Sequence, residues 1–497
     1  MSFAENLDFV FKQQKDIFQL SSALALLEWD EKTSMPAGAV NDRAGQTAFF
    51  AVLIHEKLVS KKLEQAASLL AESKQFSDVL WEKRAVVERL LKDIEKSKKL
   101  PSSFVKKLSI TASLSQNAWA LAKKKKNFKL FAPFLEKIIA LKKEQARLMA
   151  LPGTAYDSLL DDFEEGMTVK KLDPFFKELK KGELEIIEKV RSSKDYPKKP
   201  KKIILSEESQ KFLVQKAVNQ LLPKGRFVLD TSLHPFTIQI SPDDLRITTN
   251  YKEGFQASFF AAIHESGHAL YELNLPKKFA FTSVFDGAST GLHESQSRFW
   301  ENMIGKSPGF LKNYHPLVKK LSKSSLSFEE FYNACNSVKP SMIRVQSDEL
   351  HYPLHVIMRF EIEKQLINES LKVKEIPGLW NSYCIDFFGK KPKDDAEGAL
   401  QDIHWSDGSI GYFPTYAIGT AYAAQFYAKA RKEIKNFDSQ VSSLHFEKIL
   451  EWLSKKVYSH ARTIPADEIV KKACGEGLNS RPLLDYFEKK YSKIYNF

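Results

Sequence analysis

The chain has 497 residues, 43% hydrophobic and 28% charged, so it is long enough for a large core and lies in the globular range. Its net charge of +13 comes mainly from lysine, in short runs such as Lys123 to Lys126 and Lys198 to Lys202. These runs lack the interleaved aromatics and recurring arginines of a nucleic-acid surface, so a solvated basic exterior and no nucleic-acid partner are expected.

Three distant cysteines, Cys335, Cys384 and Cys474, give no disulfide framework and no C-x-x-C site, which fits a reducing compartment. The N-terminus lacks a signal-peptide pattern, and no apolar stretch reaches membrane-spanning length. A cytoplasmic protein without a membrane partner is expected.

From the N-terminus to about residue 150 the sequence predicts a succession of amphipathic helices. Leu20, Leu24 and Leu27, and later Val87, Leu90, Leu91 and Ile94, recur at helical intervals between polar positions. Pro36 and Gly38 break the pattern, and Asp42 opens another helix. Gly153 to Asp157 and Gly166 to Thr168 mark turns, and residues 192–202 read as a surface loop. Between Arg226 and Asn250 the texture changes. Phe227 to Asp230, Phe236 to Ile240 and Leu245 to Thr249 are rich in β-branched residues and bounded by turns, which predicts a small antiparallel sheet. Its edge is a place for an extended peptide to lie. Helices then resume to the C-terminus, interrupted by the glycine-rich stretch Asp407 to Pro414. The expected fold class is mainly α with one small antiparallel β-sheet. No linker divides the chain, so one domain over 1–497 is expected, with a helical N-terminal half at 1–205 and a catalytic half at 206–497 that holds the sheet at about 226–250.

Directly after the strands comes His264-Glu265-Ser266-Gly267-His268. Apolar residues at Phe255, Phe259, Ala262, Ile263, Ala269, Leu270 and Leu273 place it on a mostly buried helix. Residues i and i+4 share a helix face, so both imidazoles can reach one ion at roughly 2.0–2.1 Å. Without a metal or hydrogen-bond partners, two buried imidazoles would be costly. Glu265 sits one position round, off the ligand face but beside the ion. A third ligand needs a carboxylate on a second helix. Glu294 lies in such a run, Leu292 to Asn302, where His293 and Glu301 compete with it on chemistry alone. Two histidines and a carboxylate leave one tetrahedral position open, as in catalytic rather than structural sites. Such ligands suit one zinc ion best, with cobalt or manganese also fitting.

Two other polar clusters stand out. Arg344, in an apolar setting, has Asp348 four residues on. The two form either a helix-surface ion pair, or Arg344 is a guanidinium that forks onto a substrate carboxylate. Asp402, His404 and Trp405 come together ahead of the glycine-rich stretch, where His404 is either packed or substrate-binding.

Taken in order, these motifs resemble the carboxypeptidase Taq family of metallocarboxypeptidases. The resemblance is carried by His234-Pro235-Phe236, Asp244 to Thr248, His264 to His268, His293-Glu294-Ser295-Gln296, Ile343-Arg344 with Asp348, and Gly398 to Trp405. Weaker similarity at Trp29-Asp30, Met35-Pro36, Arg43-Ala44, Tyr156-Asp157 and Gly166 to Thr168 extends it over essentially the whole chain. Ser347 departs from the family pattern, which usually has alanine before the aspartate. The resemblance implies a large helical metallopeptidase fold with a deep active-site groove, a homodimer, and removal of single residues from peptides with a free C-terminus, with broad specificity. By motif it implies His264, His268 and Glu294 as metal ligands and Glu265 as general acid/base. It also implies Arg344 as the clamp for the terminal carboxylate, and His234, Arg246, His404 and Tyr412 as substrate contacts. The rival expectation is an endo-acting metallo-oligopeptidase that uses the same ligands without needing a free C-terminus.

Overall fold

A capping box opens the first helix: Ser2 Oγ accepts from Glu5 N, and Glu5 Oε2 accepts from Ser2 N at 2.7 Å. The computed structural model describes residues 1–368 and 371–497. Helices α1 (Phe3–Thr33), α2 (Val40–Leu58), α3 (Lys61–Glu72) and α4 (Trp81–Lys98) follow the amphipathic repeats, with the Pro36 break between the first two. Val10 of α1, Leu63 and Leu70 of α3, and Val87, Leu90 and Ile94 of α4 close a hydrophobic cluster of their own. None of the described residues of α2 is buried, and Val40, Phe49 and Val52 point outward.

Helices α5 (Ser102–Lys124), α6 (Ala132–Met149), α7 (Ala155–Leu160), α8 (Val169–Ser192) and α9 (Glu207–Leu221) join a second, larger core that takes in residues from Val86 to Tyr495. Next come β1 (Phe227–Thr231), β2 (Thr237–Ser241) and β3 (Asp244–Thr249), in the order β1-β3-β2. Strands β2 and β3 are antiparallel, but β1 runs parallel to β3, with Phe227 opposite Leu245 and Thr231 opposite Thr249. The sheet is therefore mixed, which corrects the expected all-antiparallel arrangement. Residues 232–236, between β1 and β2, contain no Asn-Gly or Asp-Gly pair to fold a tight hairpin. They cross to the far side of β3, where Ser232 Oγ and Phe236 N lie 2.7 and 2.9 Å from Thr248 Oγ1.

Helix α10 (Phe255–Leu273) packs on β3, and α11 (Thr290–Arg298) continues into a π-helical turn, Phe299–Gly305. The further elements are helices: α12 (Pro308–Leu321), α13 (Phe328–Asn336), α14 (Tyr352–Asn368), α15 (Ile376–Phe388), α16 (His404–Asp407), α17 (Pro414–Glu433), α18 (Phe437–Ser442), α19 (Glu447–Lys456), α20 (Ala466–Cys474) and α21 (Arg481–Tyr495). Helix accounts for 69% of the described structure, so the mainly helical expectation holds. Two glycines bring α11 against both its neighbours. A Cβ on Gly267 of α10 would lie 2.6 Å from Gln296 O, and one on Gly419 of α17 would lie 2.7 Å from Gly291 O. Only a residue without a side chain allows backbones to approach so closely.

Candidate active site

The i,i+4 spacing on α10 puts His264 and His268 one turn apart on one face, and the close contact through Gly267 brings α11 opposite them. His264 Nε2 and His268 Nε2 each lie 3.4 Å from Glu294 Oε2. Donor atoms of these three residues all fall within 4.8 Å of one another, the grouping a single metal ion needs. Glu294 is buried; its Oε1 accepts from Arg298 Nε at 2.7 Å and its Oε2 from Ser297 Oγ at 2.9 Å. The two competitors from the same run serve behind the imidazoles. Glu301 Oε2 is 2.9 Å from His264 Nδ1, and His293 Nδ1 is 2.6 Å from His268 Nδ1. Both histidines thus keep Nε2 turned to Glu294 and use Nδ1 for support.

Glu265 is buried against β2, where Thr237 Oγ1 donates to its Oε2 at 2.6 Å. Burial raises its pKa, against the lowering influence of His264 and Thr237. Burial opposes a charge on His264, but Glu294 and Glu301 outweigh it and lift its pKa to about 10. His268 moves to about 3, because burial and the neighbouring His293 act together. Burial also works against the charge on Glu294, yet Arg298 and His264 hold it well below the carboxylate range.

A cavity of about 760 Å³ opens over this group. Its walls include Pro235 to Thr237 from the sheet edge, Asp286 to Thr290 leading into α11, Tyr412 just before α17 and Tyr416 in its first turn. Helix α4 forms the outer wall with Arg89, Lys92, Asp93 and Lys96. Ion pairs tie that helix to the body: Lys96 to Asp161 at 3.0 Å, Asp93 to Arg462 at 3.2 Å, and Arg89 to Glu165.

The other expected substrate residues divide. Tyr412 faces the cavity, and burial pushes its pKa up to about 12. His404 Nε2 is 3.1 Å from Tyr416 Oη, and burial with the Arg344 charge lowers its pKa to about 3. Arg344 is buried beneath Tyr416, its guanidinium 4.7 Å from the ring centre. It does not pair with Asp348. Arg344 Nε and Nη2 donate to Asp402 Oδ1 at 3.1 and 3.0 Å, and Nη1 donates to Tyr352 Oη at 2.7 Å. The helix-surface pair fails because Arg344–Gln346 is a single 3-10 turn followed by extended Ser347, so residues four apart do not share a face. Asp348 instead binds His351 Nδ1 at 2.9 Å and accepts from Lys339 N at 2.8 Å. His234 lies on the exposed connection after β1, where partial burial and the charges of Lys123 and Arg344 lower its pKa. Arg246 does not join the group: Asp244 holds it at 3.0 Å and it lies over Trp29.

Sequence reasoning missed Thr237, Tyr416, and Asp402 as the partner of Arg344. Each lies on a different element from the group it touches. Only Thr237 carried a local signal, as the polar residue where the strand edge begins.

A carboxylate held beside two imidazoles and a third ligand, in an open groove, has the chemistry of a metallopeptidase. A family model described as carboxypeptidase Taq (M32) metallopeptidase matches residues 9–491. Carboxypeptidase 1 of Bacillus subtilis is 38% identical over 98% of both chains, and thermostable carboxypeptidase 1 of Thermus thermophilus is 35% identical over 97% of both. The crystal structure of the M32 carboxypeptidase from Deinococcus radiodurans superposes with a TM-score of 0.95, covering 99% of this chain and 100% of that one at 30% identity. The chain belongs to the carboxypeptidase Taq (M32) family. It is a metallocarboxypeptidase, a hydrolase of peptide bonds.

Proposed function

We propose that the protein removes single residues from the free C-termini of peptides, with broad residue preference, and that His264, His268 and Glu294 hold one divalent ion for the purpose. The convergence of both Nε2 atoms on Glu294 Oε2 carries this reading. The donor set fits the ion, since each Nδ1 is engaged behind and each Nε2 is presented toward the carboxylate. Two nitrogens and an oxygen favour zinc, with cobalt or manganese as alternatives. A bound ion would supply Lewis acidity and activate water at neutral pH. Glu265 takes the proton of the attacking water and returns it to the leaving amine. The Thr237 hydroxyl, donating to Glu265 Oε2 at 2.6 Å, holds the carboxyl in place for both transfers. Tyr412, kept protonated by its high pKa, donates to the developing oxyanion.

Arg344 receives the terminal carboxylate. A guanidinium has five donors, and three are engaged by Asp402 and Tyr352, so two remain for a substrate beside Tyr416. His234 and His404 border the same region and make secondary contacts. Arg246, held by Asp244, supports the sheet instead. The whole chain works as one domain, since the larger core takes in residues from both halves. A homodimer fits the outward apolar positions of α2, and the free cysteines fit a cytoplasmic location.

The deciding experiment incubates one peptide with a free C-terminus and with a C-terminal amide, and reads the products by mass. A ladder of one-residue losses from the free acid alone is expected; internal cuts in both peptides would favour the endo-acting reading. Arg344→Lys keeps the charge beside Asp402 but loses the planar fork. It should cost about 1.5–3 kcal/mol, roughly ten- to 150-fold in kcat/KM on the free acid. Unchanged kcat/KM would remove Arg344 from the carboxylate site.

A further inference from the structure

The two imidazoles of the candidate metal site are supported by unlike partners. His264 Nδ1 faces a carboxylate directly, Glu301 Oε2 at 2.9 Å. That carboxylate is in turn paired with Lys306 at 2.8 Å and Arg298 at 3.4 Å. His268 Nδ1 faces another imidazole, His293 Nδ1 at 2.6 Å, and His293 Nε2 lies 2.9 Å from Glu272 Oε1.

We propose that Glu272 and His293 form a proton-ordered chain that positions His268 for a divalent cation. The inference rests on the metal-site reading above and assigns roles to two residues that do not touch the ion. His268 can offer its Nε2 lone pair only when its proton sits on Nδ1. Two N–H groups cannot face each other at 2.6 Å, so His293 Nδ1 must be the bare acceptor. A neutral His293 then carries its proton on Nε2, where Glu272 Oε1 accepts it. Glu272 thereby fixes the tautomer of His293, and His293 fixes the tautomer and ring orientation of His268. The other Glu272 oxygen, Oε2, is buried with no hydrogen-bond partner among the described residues, so His293 is the one polar contact of that carboxylate. Neither residue is a catalytic residue; both are positioning residues. A neutral imidazole is a weaker acceptor than the carboxylate behind His264, so His264 is the more strongly polarised ligand of the two.

The test measures zinc binding to chelator-stripped full-length protein by competition with a coloured chelator. Thermal unfolding of each metal-free form is followed alongside. His293→Phe fills the space but removes the acceptor, and zinc should bind 10- to 100-fold more weakly. His293→Asn places a side-chain oxygen where Nδ1 stood and should recover most of the loss. Glu272→Leu frees His293 to adopt the wrong tautomer and should fall between the two. His293→Phe also strips Glu272 of its one polar contact and should lower the metal-free unfolding temperature. Glu272→Leu is therefore the variant that separates positioning from a merely structural role: its metal-free unfolding temperature should stay close to wild type while zinc binding weakens. Wild-type affinity in both His293→Phe and Glu272→Leu would overturn the chain while leaving the metal site standing. If His293→Phe does not fold, wild-type affinity in Glu272→Leu alone decides against it. Failure of the wild-type protein to take up zinc, cobalt or manganese would overturn the metal reading itself, and this inference with it.

Discussion

Glu265→Gln should leave the protein folded and able to bind metal while lowering kcat by about 10²- to 10⁴-fold. The substitution keeps the size of the side chain and an oxygen for the Thr237 hydroxyl, which donates to Glu265 Oε2 at 2.6 Å. It removes only the capacity to hold and release a proton. Because Glu265 is buried and sits off the ligand face, an amide there disturbs neither imidazole. Zinc content by elemental analysis and kcat on a free-acid peptide give the two readings needed. Turnover within a few-fold of wild type would mean that another group moves the proton. Loss of metal together with activity would mean that Glu265 supports the ion instead.

Asp402→Ala is expected to be among the most damaging changes to stability. This one carboxylate holds two buried guanidinium groups: Arg344 at 3.0 and 3.1 Å on Oδ1, and Arg359 at 2.5 and 2.8 Å on Oδ2. Burial disfavours its charge, but Arg359 and Arg344 together hold its pKa far below the carboxylate range. Arg359 is fully buried against Trp380, with its guanidinium 4.5 Å from the ring centre. Removing Asp402 leaves two cations facing each other without a counter-charge, a change that costs about 3–5 kcal/mol. Urea unfolding should show that loss in the midpoint, with Asp402→Asn less severe because it keeps an acceptor. A loss below about 1 kcal/mol would show that water reaches both arginines and that the network is not the buried unit described above.

The histidines of the candidate metal site were legible because their spacing is a property of one helix. Four residues apart on a buried helix means one face, and His264 and His268 required nothing more. Glu294 was harder. His293, Glu294 and Glu301 share one helical run, and chemistry alone could not rank them, since the answer depends on how that helix is rotated against α10. The structure uses all three: Glu294 in front of the imidazoles, and Glu301 and His293 behind them. The strands were legible from their β-branched composition, but their order was not. Pairing β1 with β3 in parallel requires knowing that the chain crosses over between β1 and β2, and local pattern does not record a crossover. Arg344 stood open between two readings for a related reason. Its spacing to Asp348 suggested a helix pair, while its true partner, Asp402, lies 58 positions along the chain.

Gly267 and Gly419 leave main chain touching main chain on both sides of α11, so the gauge of the site is set by peptide units rather than by adjustable packing. Surrounding side chains can drift through substitution without changing the reach from Glu294 to the imidazoles. A single methyl group at either glycine would act as a shim, prising the helices apart. Such a change would weaken the proposed grip on a cation from positions that meet neither solvent nor substrate.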